Sequence, residues 1–246
     1  MRRIIVISMM LILGATAAQA QRYDRGYENL NSLSTVFTPK GSFMLGGNVR
    51  YSHHRMNDYS VLVINGINST GSTVSASPSF LYMVKDNMGI GARFSYNRSH
   101  FDLESANLSV SEISMSVQDY FRLSQSFSGM VLLRPFIPLG PGGRFAMFAE
   151  LNLGASFSQS KNTVDINSAV KGSFVEKYKI FFGVNPGFTA FLTNHLAMEF
   201  SLGMLGISYG WSDQVHNQVS QGSTDAAAAS FMVNPASISL GLCYYL

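Results

Sequence analysis

An eight-stranded antiparallel transmembrane β-barrel, wound as an up-and-down meander, is the fold this sequence predicts. Three observations carry it. Apolar residues alternate with polar ones at period two in eight separate stretches. The links between those stretches are by turns very short and long. The charged residues inside the stretches fall on the polar parity, away from the oily one.

The chain begins before the first stretch. MRRIIVISMMLILGATAAQA has a positive start at Arg2 and Arg3, an apolar run from Ile4 to Leu13, and a small-x-small site at Ala18-Gln19-Ala20. This reads as a secretory signal peptide over residues 1–20. A lead-in segment, 21–41, is expected to lie on the periplasmic side, and the barrel domain is placed at 42–246.

The first strand is read at 42–54, with Phe43, Leu45, Val49 and Tyr51 against Asn48, Arg50 and Ser52. The second, 72–84, sets Val74, Ala76, Phe80 and Tyr82 against Thr73, Ser75, Ser77 and Ser79. The third, 88–100, sets Ile90, Ala92, Phe94 and Tyr96 against Gly91, Arg93, Ser95 and Asn97. The fourth, 126–138, places Val131, Leu133 and Ile137 opposite Arg134.

RFAMFAELNLGASFS, 144–158, is the fifth, with Glu150 alone among Phe145, Met147, Leu151 and Leu153. The sixth, 175–192, sets Ile180, Phe182, Val184 and Phe188 against Lys179, Asn185 and Thr189. In the seventh, 196–211, Met198, Phe200 and Leu202 oppose Glu199 and Ser201. The apolar parity then changes to Ile207, Tyr209 and Trp211, which predicts a β-bulge near Leu205-Gly206. The eighth, 230–246, closes with Ile238, Leu240, Leu242, Tyr244 and Leu246.

KDN (85–87), PLGPGG (138–143) and TNH (193–195) are turn-type links. Segments 55–71, 101–125, 159–174 and 212–229 are long, polar and rich in Ser, Asn and Gly. Short turns at one end and long loops at the other describe a bacterial outer-membrane barrel. A closed barrel satisfies its backbone hydrogen bonds inside lipid and leaves no edge. Its exterior must be apolar, so Arg50, Arg93, Arg134, Glu150, Lys179 and Glu199 are assigned to the lumen as a charge network. Facing lipid, a mid-membrane Arg or Lys would cost about 2–4 kcal/mol. Eight strands leave a lumen just wide enough for side chains, so a plugged interior is expected.

Tyr51, Tyr82, Tyr96, Tyr209 and Trp211 suit aromatic girdles at the lipid boundary. Residues 102–125 contain a further alternation at Ile113, Met115 and Val117. The preferred reading is an ordered external loop or a hairpin above the membrane; the alternative is a ten-stranded barrel.

Composition agrees with a membrane barrel and points away from other classes. Charged residues make up 13% of the chain, about half the share typical of a soluble domain. Removing Arg2 and Arg3 from 17 Lys and Arg leaves 15 against 14 Asp and Glu, so the mature chain has no basic excess for nucleic acid. Cys243 is the single cysteine, which rules out an internal disulfide framework and reads as a small apolar filler.

TPKGSFMLGGNVRYSHH, DNMGIGARFSYNRS, LLRPFIPLGPGGRFAMFAELNLG and HLAMEFSLGMLGISYGW resemble the small outer-membrane barrels of Bacteroidetes, broadly similar to the OmpA and OmpX transmembrane barrels. SISLGLCYYL resembles the C-terminal strand signal by which such barrels are recognised for insertion. The resemblance implies an integral outer-membrane location and contact with lipopolysaccharide and the insertion machinery. It also implies that the peptidoglycan-binding domain of full OmpA proteins is missing.

No HExxH, GxSxG or paired-cysteine motif is present. His53, His54, His100 and His216, with Asp58, Asp102, Glu104 and Asp213, collect on the expected outer side, where a His–carboxylate pair would be able to activate a serine or water. His195 reads as a solvated turn residue. The function expected is non-enzymatic display of long external loops for structural, adhesive or partner-binding roles, with no cofactor. The alternatives are a small pore with a charged lumen, and a rim enzyme acting on lipid A or protein.

Overall fold

The computed structural model describes residues 36–61, 64–110, 113–140, 142–166, 169–203, 205–216, 220–230 and 239–246. The signal-peptide reading and most of the lead-in lie outside them. Among the described residues ten strands are formed: β1 (Phe43–Val61), β2 (Ile64–Lys85), β3 (Met88–Val110), β4 (Ile113–Leu139), β5 (Phe145–Ile166), β6 (Ala169–Phe191), β7 (Leu196–Ser201), β8 (Leu205–His216), β9 (Ser220–Ser230) and β10 (Ser239–Tyr245).

These ten make eight ribs. β7 and β8 pair with successive parts of β6, and β9 and β10 pair with β8 and β7 in turn. Every pairing is antiparallel, and β10 closes the ring on β1 from Met44↔Tyr245 to Gly47↔Leu242. The barrel is therefore an eight-rib meander, and the ten-stranded alternative is corrected. The extra alternation at 113–117 belongs to the β3–β4 hairpin, which stays paired to Val110↔Ile113.

The break between β7 and β8 is the predicted bulge. Ser201 pairs with Gly187 and Leu205 with Val184, so four steps on one strand face three on the other. The surplus residue flips the parity, and this puts Phe200 and Ile207 both outside, 37% and 54% exposed.

The external segments are a second correction. Most of 55–71, 159–174 and 212–229 is strand rather than loop, and 101–125 takes the hairpin form of its two expected readings. β4 runs for 27 residues, whereas a barrel strand needs roughly 9–11 to cross a bilayer. The ribs continue past the membrane as hairpins. A strand with water on both faces needs no apolar side, so Ser- and Asn-rich alternation suffices there, and ring contacts such as His54–Phe101 and His100–Phe121 add to the backbone ladder.

The outer surface locates the membrane. Tyr96, Phe127, Phe157, Tyr178 and Trp211 are successive cross-strand partners on β3, β4, β5, β6 and β8. Their rings are 5.0 Å apart for Tyr96–Phe127 and Phe157–Tyr178, and 5.7 Å for Tyr178–Trp211. Phe43, Tyr82, Phe145 and Tyr244 mark the short-turn end. The twelve residue steps on β5 from Phe145 to Phe157 span roughly 30 Å along the barrel axis at ~3.3 Å per residue and ~40° tilt, close to the apolar band of an outer-membrane barrel. Between the two aromatic rows Val131, Ile137, Met147, Leu153 and Ile180 stand exposed.

Candidate functional site

Alternation points Arg93 of β3, Arg134 of β4, Glu150 of β5 and Glu199 of β7 into one layer of the lumen. Both carboxylate oxygens of Glu150 accept from Arg93, Oε1 from Nη1 at 2.6 Å and Oε2 from Nη2 at 2.9 Å. Arg134 donates to Glu150 Oε2 through Nε at 2.8 Å and also through Nη2, and its Nη1 reaches Glu199 Oε1 at 2.6 Å. Two guanidinium groups thus balance two carboxylates. Arg134 and Glu150 are each 1% exposed, and a buried pair of this kind holds only when its hydrogen bonds are made.

Phe148 lies beside Arg134, its ring centre 4.5 Å from the guanidinium carbon. Gly187, the cross-strand partner of Phe148, makes room for that ring. A Cβ at 187 would overlap it.

Arg50 and Lys179 are placed in the same lumen but not in the same network. Among the described residues neither makes an ion pair, and Lys179 Nζ lies 6.0 Å from the Phe181 ring. They line a cavity of about 450 Å³ whose floor is the Arg134–Glu150–Glu199 layer. Of the six lumen charges read from parity, four meet in the floor and two stand over it.

Asn152 sits at the cavity wall, 1% exposed. Its Nδ2 donates to Glu150 O at 3.1 Å, while its Oδ1 accepts from no described residue. Asn185 Oδ1 is likewise buried and without a donor.

Beneath the charge layer the lumen turns apolar. Phe37, Met44, Leu81, Met83, Leu132, Phe136, Phe148 and Phe191 form one buried cluster with Cys243 and Tyr245. Cys243 is a packed apolar side chain there, 2% exposed. Phe37 is fully buried, with its ring 5.2 Å from Phe136 and 4.8 Å from Phe191.

Asn87 in the KDN turn holds this plug. Its Oδ1 accepts from Phe37 N at 2.7 Å and Thr38 N at 3.1 Å, and its own N donates to Thr38 O at 2.8 Å. The residue has φ 59°, a conformation asparagine tolerates better than most. Parity reasoning missed the plug, although a signal existed. FLYMV (80–84) and VLLRPFIP (131–138) carry apolar residues on both parities, as a strand does where oil lies on both sides.

His195 is not a simple solvated turn residue. Its Nδ1 lies 3.0 Å from Tyr245 O, and Tyr245 N donates to its carbonyl at 2.8 Å. The outer histidines do not converge. His53 and His100 flank Ser72 in one cross-strand row, two strand spacings apart or roughly 10 Å. His54 stacks on Phe101, and His100 meets Phe121 edge-on. Among the described residues no hydrogen bond or ion pair joins these histidines to a carboxylate, and no three His, Cys, Asp or Glu cluster as a metal site would require.

No protein-family model matches the chain, and no curated protein does. Two solved structures are similar in trace. The outer membrane protein OprG of Pseudomonas aeruginosa is 14% identical with a TM-score of 0.45, over 86% of this chain and 99% of that one. A major outer membrane protein of Thermus thermophilus is 10% identical with a TM-score of 0.42, over 84% and 98%. Closed antiparallel ribs, an apolar belt between two aromatic rows, short turns at one end and long hairpins at the other make this chain an integral outer-membrane β-barrel.

Proposed function

We propose that the protein is a non-enzymatic surface anchor: a plugged barrel of the small OmpA/OmpX kind, close to those of Bacteroidetes, that holds a palisade of paired hairpins outside the cell for structural, adhesive or partner-binding contacts. The observation that carries this is where the chain spends its length. The turns at the periplasmic end are minimal, while β3 and β4 stay in register from Met88↔Pro135 out to Val110↔Ile113. Partners at that height are lipopolysaccharide sugars and proteins of the same or a facing surface. The Phe37 cluster supports an anchor over a conduit, because it fills the periplasmic mouth.

The test replaces residues 100–123 by Asn-Gly, joining the paired Ser99 and Ser124 through a two-residue turn. The shortened barrel is expected to remain heat-modifiable on gels and silent in planar bilayers, while cells lose surface attachment or complex formation. Loss of insertion, or channel activity in the wild-type chain, would sink the reading. Unchanged lipid A mass spectra with and without the gene are also expected; a changed spectrum would favour the rim-enzyme alternative.

A further inference from the structure

The lumen above the charge layer is built differently from a plug. The cavity there is about 450 Å³, within the range of small-molecule sites. Four cations and two carboxylates line it, a surplus of two positive charges. The carboxylates are already taken by Arg93 and Arg134. The surplus therefore resides on Arg50 and Lys179, which have no anion among the described residues.

A second feature points the same way from different chemistry. Asn152 Oδ1 and Asn185 Oδ1 are buried acceptors with no donor among the described residues. An amide oxygen left in this state is costly, and a small turn of the side chain towards the cavity would let a ligand hydroxyl or N–H relieve it. Serine hydroxyls, Ser128 and Ser156 among them, fill much of the remaining wall. A hydroxyl both gives and takes a hydrogen bond, so it matches another hydroxyl in either sense.

We infer that this cup binds a small anionic sugar from the outside: a monosaccharide-sized ligand with one carboxylate for Arg50 and Lys179 and several hydroxyls for Asn152, Asn185 and the serines. A bare anion would satisfy the cations and leave the amide oxygens unmet. A neutral sugar would do the reverse. The apolar cluster below the charge layer makes this a blind site, so the ligand is held and not passed.

Isothermal titration of the full-length barrel in detergent micelles tests the inference with D-glucuronate, D-glucose and inorganic phosphate as probes. D-glucuronate should bind saturably, and both other probes at least ten-fold more weakly. The double variant Arg50→Gln, Lys179→Gln should lose at least ten-fold in glucuronate affinity. Asn152→Leu should weaken glucuronate more than phosphate; Asn185→Ala gives the same comparison at the second amide if Asn152→Leu does not fold. Heat-modifiability on gels checks folding of each variant. Absence of saturable glucuronate binding, equal affinity for glucose or phosphate, or an unaffected double variant would each overturn the proposal. None of these outcomes bears on the hairpins, so anchor and cup stand or fall separately.

Discussion

Arg134 and Arg50 are the same residue type on the same face of the same barrel, and they share nothing else. Arg134 is buried, stacked on Phe148 and divided between two carboxylates. Arg50 is exposed to the open cup and makes no ion pair among the described residues. What separates them is depth. Toward the periplasmic end the lumen is filled with protein and a charge must find a partner. Toward the outside it opens to solvent, and a charge there needs no protein partner. Facing in a barrel is a matter of parity, whereas the fate of a charge is set by its height along the axis.

The sharpest way to break this contrast is Arg134→Met. The side chain still fits beside Phe148, but Glu150 then keeps only Arg93, and Glu199 has no ion-pair partner among the described residues. Removing one partner from a buried ionic group costs about 3–5 kcal/mol, because the remaining charges stay out of water. Urea unfolding in lipid vesicles, followed by fluorescence of Trp211, the single tryptophan, should show a loss of that size. A loss under about 1 kcal/mol would mean that water already reaches the layer and that the floor is not sealed.

Phe37→Ala probes the packing beneath. Phe37 makes ring contacts with Phe136, Phe191 and Tyr245, and a large-to-small change of a buried aromatic costs about 3–5 kcal/mol. The value expected is about 3 kcal/mol, since the segment carrying Phe37 enters from the rim and can shift. The same variant should conduct in planar bilayers where the wild type is silent. Unchanged stability would show that the plug is ornamental to the barrel.

Asn87→Ala should cost less, about 2 kcal/mol. It strands the Phe37 and Thr38 amides, each a neutral hydrogen bond, and it puts alanine at φ 59°. Hydrogen exchange should speed at those two amides and leave the β5–β6 ladder protected. Exchange that rises evenly across the barrel would mean that Asn87 acts on the whole fold instead of latching the plug.

These residues also mark what a reader of the sequence could reach. Parity put all six lumen charges inside, and the reversal at Ile207 gave away the bulge, because oil against lipid is a strict requirement on every second residue. It could not say that Glu150 meets Arg93 and Arg134 while Lys179 meets no carboxylate among the described residues. Pairing depends on stagger between ribs, which alternation within one rib leaves open. The upper ribs were hidden for a simpler reason: between water and water a strand such as 99–110 needs no apolar side, so polar alternation there looked like loop. Phe37 was hidden because it belongs to no strand.

The smallest expected effect is the one that separates the two arginines most cleanly. Arg50→Met and Lys179→Met remove cations that make no ion pair among the described residues, and each should change stability by no more than about 0.5 kcal/mol. A fall near the Arg134→Met value would show that the cup cations are tied into the floor after all. A small gain would fit best with their surplus charge, because two like charges across a narrow lumen repel and neutralising either relieves the strain. The cup would then be a site held slightly against the stability of the barrel, as binding sites with unmet charge commonly are.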